Sequence, residues 1–213
     1  MKKNSDNKLE GEFMAKRIQD GQLFYHVTAL KNLEGIFKYG LLSRPDAIKK
    51  GFLKTDVADS EIIEKRKQLE ILQYVPFHFF EPTAFTGTVF SAHPLDAFCS
   101  ITITRDFAKK NDFKICTAHP LSQNPVAQIM DYEDGIKSIN WEKAEERNYH
   151  DDVSKNACMA ECLAVSPVLP SDFSIVFVPD DNAYKYVDNL AKEIIGNYLF
   201  DIMVNPYLSK AGI

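Results

Sequence analysis

The sequence predicts an α+β fold, because strand-like and helix-like segments follow one another in irregular order along the chain. Short runs rich in aromatic and β-branched residues predict strands, and segments with apolar residues three or four positions apart predict helices. The chain contains no repeat of fixed period. A mixture of this kind is typical of the α+β class.

The first predicted elements are a strand at residues 23–28 and a helix at residues 30–39. The N-terminal residues are polar and lysine-rich, so we expect residues 1–22 to form a flexible or helical leader before a single domain at residues 23–213. Gly40 stands where the first helix should end. Four apolar side chains recur at helical spacing within that helix: Leu30, Leu33, Ile36 and Phe37.

A charged helix and an aromatic strand come next. Residues 60–72 predict a helix in which Ser60 caps the N-terminus and Arg66 lies in a basic stretch. Residues 74–80 are dense in aromatic and β-favouring side chains, and Pro76 lies near the start of this run. We expect this strand to cross the core.

The rest of the chain continues the mixture of elements. Further strands are predicted at residues 100–104, 113–118, 174–178 and 201–204, and around Glu161. Helical character is predicted at residues 139–149 and 182–195, with an irregular polar link at residues 120–129.

The composition fits one globular domain. The chain has 213 residues, of which 45% are hydrophobic and 26% charged, enough for a sizeable core. A formal net charge of −5 argues against a basic surface that covers the whole protein and binds duplex DNA. It is compatible with a local basic groove.

Several classes of site lack their sequence patterns. The 4 cysteines form no CxxC pair and are predicted to be reduced, mostly buried thiols. The histidines show no metal-ligand spacing, so we expect no metal, and no glycine-rich phosphate loop is present. Without a signal-like segment or an apolar run long enough to span a bilayer, the expected location is cytoplasmic.

Two features of the sequence, a pair of residues and a single glutamate, are the clearest signs of a functional site. His26 and Thr28 lie two residues apart on a predicted strand, so their side chains face the same side. Glu161 lies in an apolar strand-like run, where a carboxylate is costly unless it has a use. The same pattern also fits a core histidine with its hydrogen bonds satisfied and an edge-strand glutamate that points to solvent. Arg66 alone would be read as a solvated helix residue.

Several short motifs follow one another in a characteristic order. They are Tyr25-His26-Val27-Thr28 with Asn32-Leu33, Asp59 with Ile62 to Arg66, Tyr74-Val75-Pro76-Phe77, Thr117-Ala118-His119, Ile139-Asn140-Trp141 and Met159-Ala160-Glu161. Their number and order resemble the DarT family over most of the chain, from about Phe24 to Tyr207. Proteins of this family are NAD-dependent ADP-ribosyltransferase toxins that modify bases in single-stranded DNA.

The resemblance implies a fold, substrates and partners. The fold would be an ADP-ribosyltransferase-like core of two small β-sheets around an NAD cleft, with flanking helices. NAD would be the ADP-ribose donor, with no metal. The partners would be single-stranded DNA and a cognate antitoxin that reverses or blocks the modification.

The resemblance also implies residue roles. The catalytic residues would be Glu161, Arg66 and His119. NAD would be bound by His26, Thr28, Asn32, Tyr74 and Arg66. The segment before the glutamate would be a loop that meets the substrate base, with DNA contacts from Arg147, Asn148 and Tyr149. Phosphate contacts to DNA would come from Lys49, Lys50 and Lys54.

The target base is the least determined part of the resemblance. Many thymine-modifying relatives have an asparagine-proline-arginine-like turn where this chain has Phe80-Glu81-Pro82-Thr83-Ala84-Phe85. The versions of the motifs at His119 and Glu161 resemble the guanine-modifying branch more closely, so guanine is favoured over thymine. Two alternatives remain: an NAD-dependent ADP-ribosyltransferase acting on RNA or protein, and a noncatalytic nucleic-acid or NAD-binding module.

Overall fold

A computed structural model describes residues 17–209, and within them the strands form one sheet flanked by helices. The strands are β1 (Leu23–Ala29), β2 (Tyr74–His78), β3 (Phe98–Thr104), β4 (Lys114–Cys116), β5 (Ile129–Met130), β6 (Glu161–Val165), β7 (Ile175–Val178) and β8 (Asp201–Val204). The α-helices are α1 (Leu33–Tyr39), α2 (Arg44–Lys50), α3 (Ser60–Gln68), α4 (Ala84–Ala92), α5 (Arg105–Lys110), α6 (Tyr132–Ser138), α7 (Trp141–Glu146), α8 (Asp152–Cys158) and α9 (Asp181–Ile194). The predicted α+β class is confirmed.

The sheet is divided into two halves that meet in the middle. Its strand order is β5-β4-β6-β2-β1-β3-β7-β8, and the central neighbours β1 and β2 are paired at one position, Tyr25 opposite His78. By contrast, β1 pairs with β3 along its whole length. The expected two small sheets are therefore two halves of one hydrogen-bonded sheet, with a split between them.

Pro76 explains where the split begins. Continuing the register from Tyr25 and His78 would place Val27 opposite Pro76. Proline has no backbone N–H and so cannot donate a ladder hydrogen bond at that point. The imidazole of His26 contacts the Pro76 carbonyl instead, with 2.8 Å between Nδ1 and the oxygen.

Side chains pack on both faces of the sheet. One cluster joins β1, β2 and β3 to α1 and α9, and includes Phe24, Phe77 and Ile101. The second cluster packs α4 against Val27, Ala29 and Phe98. Both clusters reach the split, so the space between the strand halves is walled by helices on either face.

The first predicted helix is close to the observed one. Residues Leu30–Asn32 form a 3-10 turn that leads directly into α1. Gly40 ends the helix with a φ of 85°, a left-handed conformation that glycine adopts without strain, and its N–H donates to the Ile36 carbonyl. The Gly40 stop is confirmed.

Several element boundaries differ from the predictions. Ser60 does not cap α3, because the side chain of the preceding Asp59 accepts from two backbone N–H groups of the first turn. The helix then stops at Gln68, short of the predicted residue 72. The helical segment predicted at residues 139–149 contains one short helix, α7, followed by a turn. The helices α2, α4, α5, α6 and α8 were not predicted.

The expected leader lies mostly outside the described residues, since residues 1–16 are not among them. Ile18–Asp20 form a 3-10 turn whose Ile18 is buried in the core. Arg105 holds this turn in place by donating to the carbonyls of Ile18 and Gln19.

The predicted properties of the cysteines agree with the structure. All four cysteines are buried free thiols. Burial raises the pKa of the Cys116 thiol to about 12, which keeps it protonated and unreactive. Within residues 17–209, no three His, Cys, Asp or Glu side chains come together as possible metal ligands. None of the helices in this range has the length and hydropathy of a membrane-spanning segment.

Candidate active site

A cavity of about 1020 Å³ opens at the split in the sheet. Its walls come from β1, β2, the first residue of β6, the segment from α1 to α3, and helix α4. Residues 119 and 121–124 and helix α8 complete the wall. Its volume is at the upper end of the range of about 300–1,000 Å³ found for small-molecule sites. The charged and imidazole side chains that matter most for chemistry in its wall are His26, Arg66, His78, His119 and Glu161.

Glu161 and Arg66 form a buried ion pair in this wall. Glu161 is 4% exposed and Arg66 9%. The Nη2 atom of Arg66 lies 2.6 Å from Oε1 of Glu161 and also contacts Oε2. Among the described residues, Nε and Nη1 of Arg66 have no hydrogen-bond partner, so they remain available to a ligand. A solvent-facing Glu161 and a solvated Arg66, which the local sequence permits, are both wrong.

His26 is both a satisfied histidine and a cavity residue. A carbonyl accepts hydrogen bonds, so Nδ1 of His26 carries the proton donated to Pro76. Burial is the main cause that lowers the pKa of His26, which favours the neutral ring. The lone pair of Nε2 is then an acceptor at the cavity, not the donor to a ribose hydroxyl that histidine chemistry alone would suggest.

Thr28 and Asn32 are hydrogen-bonded to each other, and Asn32 also bonds to the loop between α2 and α3. The Asn32 side-chain N–H groups donate to Oγ1 of Thr28 at 3.2 Å and to the Thr55 carbonyl at 3.0 Å. Its Oδ1 accepts from the backbone N–H groups of Lys54 and Thr55. Asn32 lines the cavity, but its polar atoms already have partners in the protein. These bonds position the loop, and the expected contact of Asn32 with NAD stays a prediction.

His119 presents the opposite tautomer to His26. Its Nδ1 accepts from the backbone N–H of Leu121 at 3.3 Å. Burial is the largest cause lowering the pKa of His119, so the neutral ring keeps its proton on Nε2 as a donor. At the cavity, His26 and His119 therefore offer one acceptor and one donor.

His78 was missed as a site residue by the sequence reasoning. It is the last residue of β2 and lies directly across from Glu161 in the β2–β6 ladder. Its place in a dense aromatic run predicts a core strand residue and gives no sign of the cavity. The only usable signal was parity, because His78 and Pro76 lie two apart and both face the split.

Several expected site residues lie outside the cavity wall. Tyr74 is at the far end of β2 and packs with the cluster containing Ile71 and Leu163, which corrects its expected contact with NAD. Lys49 and Lys50 end α2 on its exposed side, and Lys50 covers the ring of Tyr39.

The expected base-contacting loop consists of two short helices, α7 and α8, joined by a turn. Arg147, Asn148 and Tyr149 lie in the exposed turn between α7 and α8, and the Arg147 guanidinium lies 4.7 Å from the centre of the Phe80 ring. The segment instead reaches the cavity through Asp152 and Lys155 of α8.

The geometry provides three kinds of group for transfer chemistry: a buried carboxylate, a guanidinium with free N–H groups and neutral imidazoles. Comparison with families of known proteins then places the chain. A family model described as "ssDNA thymidine ADP-ribosyltransferase, DarT" matches residues 25–206. The chain belongs to the DarT family. It is an ADP-ribosyltransferase of that family, as the motifs predicted.

Solved structures of DarT proteins share the fold. Thermus sp. 2.9 DarT in complex with ADP-ribosylated ssDNA matches with a TM-score of 0.75 and 16% identity, covering 91% of this chain and 98% of that one. The same protein in complex with NAD+ gives a TM-score of 0.71 at 15% identity, covering 89% and 98%.

A longer DarT protein matches over part of its length. Thermosipho africanus DarTG in complex with ADP-ribose matches with a TM-score of 0.67 and 23% identity, covering 88% of this chain and 50% of that one. A comparison with curated proteins found no match. These structural likenesses establish the fold of the DarT-family chain.

Proposed function

We propose that this DarT-family enzyme transfers ADP-ribose from NAD to a nucleobase of single-stranded DNA, in the cavity at the split of the sheet. The observation that carries the proposal is the buried Arg66–Glu161 pair in the wall of a cavity large enough for a dinucleotide. Structures related in fold hold NAD+ in one case and ADP-ribosylated ssDNA in another.

NAD would be held by the side of the cavity formed by β1. The Nε2 lone pair of His26 can accept from a ribose hydroxyl. The Thr28 oxygen accepts from Asn32, which leaves the Thr28 hydroxyl proton free to donate. The free N–H groups of Arg66 suit a phosphate oxygen, because guanidinium pairs well with phosphate.

The reaction breaks one carbon–nitrogen bond and forms another. Nicotinamide leaves as a neutral molecule with the bonding electron pair, and the ribose carbon develops positive charge that the Glu161 carboxylate stabilises. A nitrogen of the base then attacks that carbon, and the proton displaced from the base passes to Glu161 and on to solvent. The positive charge of Arg66 is well placed to stabilise negative charge that builds on the base.

DNA would approach across the rim of the cavity. Lys155 lies in the rim, and Arg147, Asn148 and Tyr149 are exposed in the preceding turn. Lys49 and Lys50 are exposed at the end of α2, a helix whose residues Arg44 and Ala47 line the cavity. Contacts of lysine and arginine with phosphate make such binding weaken as salt rises.

Thymidine is the first acceptor to test, because the family description names it. Guanine is the second candidate, favoured by the versions of the motifs at His119 and Glu161, and the departure at residues 80–85 weakens any transfer of the relatives' base preference. In this segment the Glu81 carboxylate is buried inside the protein, while Phe85 lines the cavity. No basic side chain therefore faces the base from residues 80–85.

A toxin of this kind needs a partner that limits it. We propose a cognate antitoxin that removes or blocks the modification, since a fold relative is a DarTG protein of which this chain matches half. We also place the activity in the cytoplasm, where its DNA substrate would be found.

The test is the intact mass of defined single-stranded oligonucleotides incubated with NAD and either the wild-type enzyme or Glu161→Gln. Glutamine keeps the shape of the side chain and removes its charge, so we expect transfer to fall at least about 100-fold, the usual loss for a group that stabilises the transition state. NAD affinity should change little. Glu133→Gln, an exposed glutamate far from the cavity, is the control.

Oligonucleotides without thymine or without guanine identify the base. Near-normal turnover by Glu161→Gln would exclude the carboxylate from the chemistry. Adducts on RNA or protein instead of DNA would change the acceptor, and bound NAD without any adduct would favour a binding module.

A further inference from the structure

His78 is a buried polar group that the structure leaves without a hydrogen-bond partner at a cavity wall. It is 7% exposed, lines the cavity, and its Nδ1 makes no hydrogen bond within residues 17–209. His26 and His119 each use Nδ1 within the protein. Of these three imidazoles, His78 is therefore the one not oriented by a backbone group.

Such an arrangement is costly for the folded protein alone. A buried histidine whose role is structural normally donates to a carbonyl or accepts from an N–H, because an unsatisfied buried nitrogen loses its hydrogen bonds to water without replacement. Nδ1 itself is fully enclosed, so a ligand in the cavity would reach the ring at Nε2, which is not enclosed and bonds to no residue among 17–209. An imidazole that lines the cavity with Nε2 unpaired is suited to a ligand contact.

The neighbours of His78 identify where that ligand would lie. His78 is the cross-strand partner of Glu161, so the two side chains project from the same face of the sheet. The ring of Phe85, from α4, lies 5.5 Å from the His78 ring, tilted by 40°, and also lines the cavity. A flat ligand group next to Glu161 would meet an aromatic surface and an imidazole together.

This position is separate from the NAD side of the cavity. Tyr25 is opposite His78, so Tyr25, His78 and Glu161 share a face. His26 and Thr28 alternate with Tyr25 along β1 and project to the other face. A donor held by His26 and Thr28 would thus leave the His78 side to the acceptor.

The ring of His78 is suited to neutral hydrogen bonding. Burial lowers the pKa of His78 to about 4, so near neutral pH it has one donor and one acceptor nitrogen. The charged and titratable groups that act on it are Glu161, Arg66, His26 and His119. Nucleobase edges present both donors and acceptors, and an unstacked base is commonly read by edge hydrogen bonds and stacking on a ring.

We propose that His78 is the base-recognition residue of this enzyme, hydrogen-bonding to the edge of the target nucleobase while the base stacks on Phe85. The proposal rests on the proposed function, because its ligand is the acceptor of that reaction. It assigns specificity to a strand residue beside the catalytic carboxylate.

The experiment compares His78→Leu and His78→Gln with the wild-type enzyme. Leucine removes both nitrogens, whereas glutamine can keep a polar group near the position of Nε2. Asn197→Leu, at an exposed asparagine outside the cavity wall and outside the proposed DNA-contacting turn, is the control. Initial rates are measured at saturating NAD over a range of oligonucleotide concentrations, and NAD affinity is measured by calorimetry.

We expect His78→Leu to lower kcat/KM for the oligonucleotide at least about tenfold, the effect of one lost hydrogen bond of ordinary strength. Its NAD dissociation constant should stay within about twofold of wild type, and His78→Gln should recover part of the loss. Equal losses in NAD affinity and transfer, or transfer by His78→Leu at the wild-type rate, would overturn the assignment.

A second measurement does not depend on the variants folding. In wild-type protein with 15N-labelled histidine, the His78 ring signals should move when an oligonucleotide of the target base binds, and a base-free abasic strand should leave them in place. Identical shifts with both strands would overturn the proposal. If wild-type enzyme modifies no oligonucleotide, the proposed function itself fails and His78 has no base to read. If it does, the variants test His78 alone.

Discussion

Glu161 and Arg66 neutralise each other in a place where either charge alone would be costly. The carboxylate is 4% exposed, and its described hydrogen bonds come from one guanidinium nitrogen. Removing one member of a buried pair leaves the other charge uncompensated. A phosphate group can engage Arg66 through its free Nε and Nη1 atoms while Nη2 stays paired with Glu161.

Glu81 is the second buried carboxylate, and it has no such partner. Both its oxygens are buried and neither makes a hydrogen bond of good geometry, and the same holds for the hydroxyl of nearby Ser100. Burial raises the pKa of Glu81 to about 7, and the nearness of the Ser100 hydroxyl opposes this rise. A carboxyl with a raised pKa in the folded state keeps its full contribution to stability below its ordinary pKa, near 4.5, and loses it as the pH rises through about 7.

Glu81→Gln should therefore gain stability relative to wild type as the pH rises from 5 to 8. Glutamine keeps the shape and cannot ionise, so the gain at pH 8 should reach at most about 3 kcal/mol. Thermal unfolding of both proteins at pH 5, 6, 7 and 8 measures it. The exposed Glu133→Gln is the control, and a difference that does not change with pH would contradict the raised pKa.

His78 acts on stability in the opposite direction. Its pKa is lowered in the folded state, so the neutral ring contributes fully above its ordinary value near 6.5 and the contribution is lost as the pH falls toward 4. The wild-type protein and the Glu81→Gln variant both retain His78, so the titration of His78 cancels when their stabilities are compared.

At the level of elements, Asn32 holds the loop between α2 and α3 together with the Arg44–Asp56 ion pair and the Thr55–Asp96 hydrogen bond. Asn32 makes four hydrogen bonds, two of which accept backbone N–H groups of Lys54 and Thr55. Residues 53 and 55–59 of this loop form part of the cavity wall. The shape of the proposed NAD site thus depends on a residue that need not touch NAD.

Asn32→Ala should loosen this loop, lowering stability by about 2–4 kcal/mol because several buried hydrogen bonds are lost, and weakening NAD binding. Asn111→Ala is a suitable control, since Asn111 is an exposed asparagine that bonds only within its own helix end. Unfolding temperature and NAD dissociation constant are measured together. Weakened NAD binding with unchanged stability would instead mean that Asn32 contacts NAD directly.

The elements show how far the sequence pattern reaches. Hydrophobic spacing and the Gly40 stop predict α1, and β-branched runs predict β3, β7 and β8, because those signals are local. Helix α4 was missed since its run of threonines, glycine and aromatics has weak helical propensity, and it is stabilised by a Thr83 capping box and by packing on β1.

At the scale of the whole molecule, the site depends on contacts that no local pattern contains. Arg66 and Glu161 are 95 positions apart and meet because β6 lies next to β2 and α3 precedes β2. Family motifs identified both residues, whereas local reasoning treated Arg66 as solvated. The motifs could not indicate that the side chain of Asn32 has all its hydrogen-bond partners within the protein, or that a nitrogen of His78 has none. Both properties follow from three-dimensional packing.

Arg105 connects distant parts of the chain in the same way. Its guanidinium donates to the carbonyls of Ile18, Gln19 and Phe79, and it lies over the rings of Phe24 and Phe79. It thereby ties the N-terminal turn to both halves of the sheet. An added Cβ on Gly21 would lie 2.6 Å from its Nη2 atom, so glycine is needed beside it.

Arg105→Lys should lower stability by about 2–3 kcal/mol, because lysine keeps the charge but cannot reach these carbonyls together. NAD affinity should stay within about twofold, since Arg105 is not in the cavity wall. Denaturant unfolding and calorimetry check the two statements. Arg17→Lys, at an exposed arginine, should leave both values unchanged, and an equal effect at both positions would contradict the role of Arg105.

The split sheet makes occupancy of the cavity matter for the chain as a whole. Its halves share one pair of strand residues, so a molecule that touches β1 and β6 at once would act as a removable cross-link between them. By mass action, a ligand at 100 times its dissociation constant adds about 2.7 kcal/mol to the folded state. The lifetime of such an enzyme against unfolding and proteolysis would then rise and fall with the supply of its own donor.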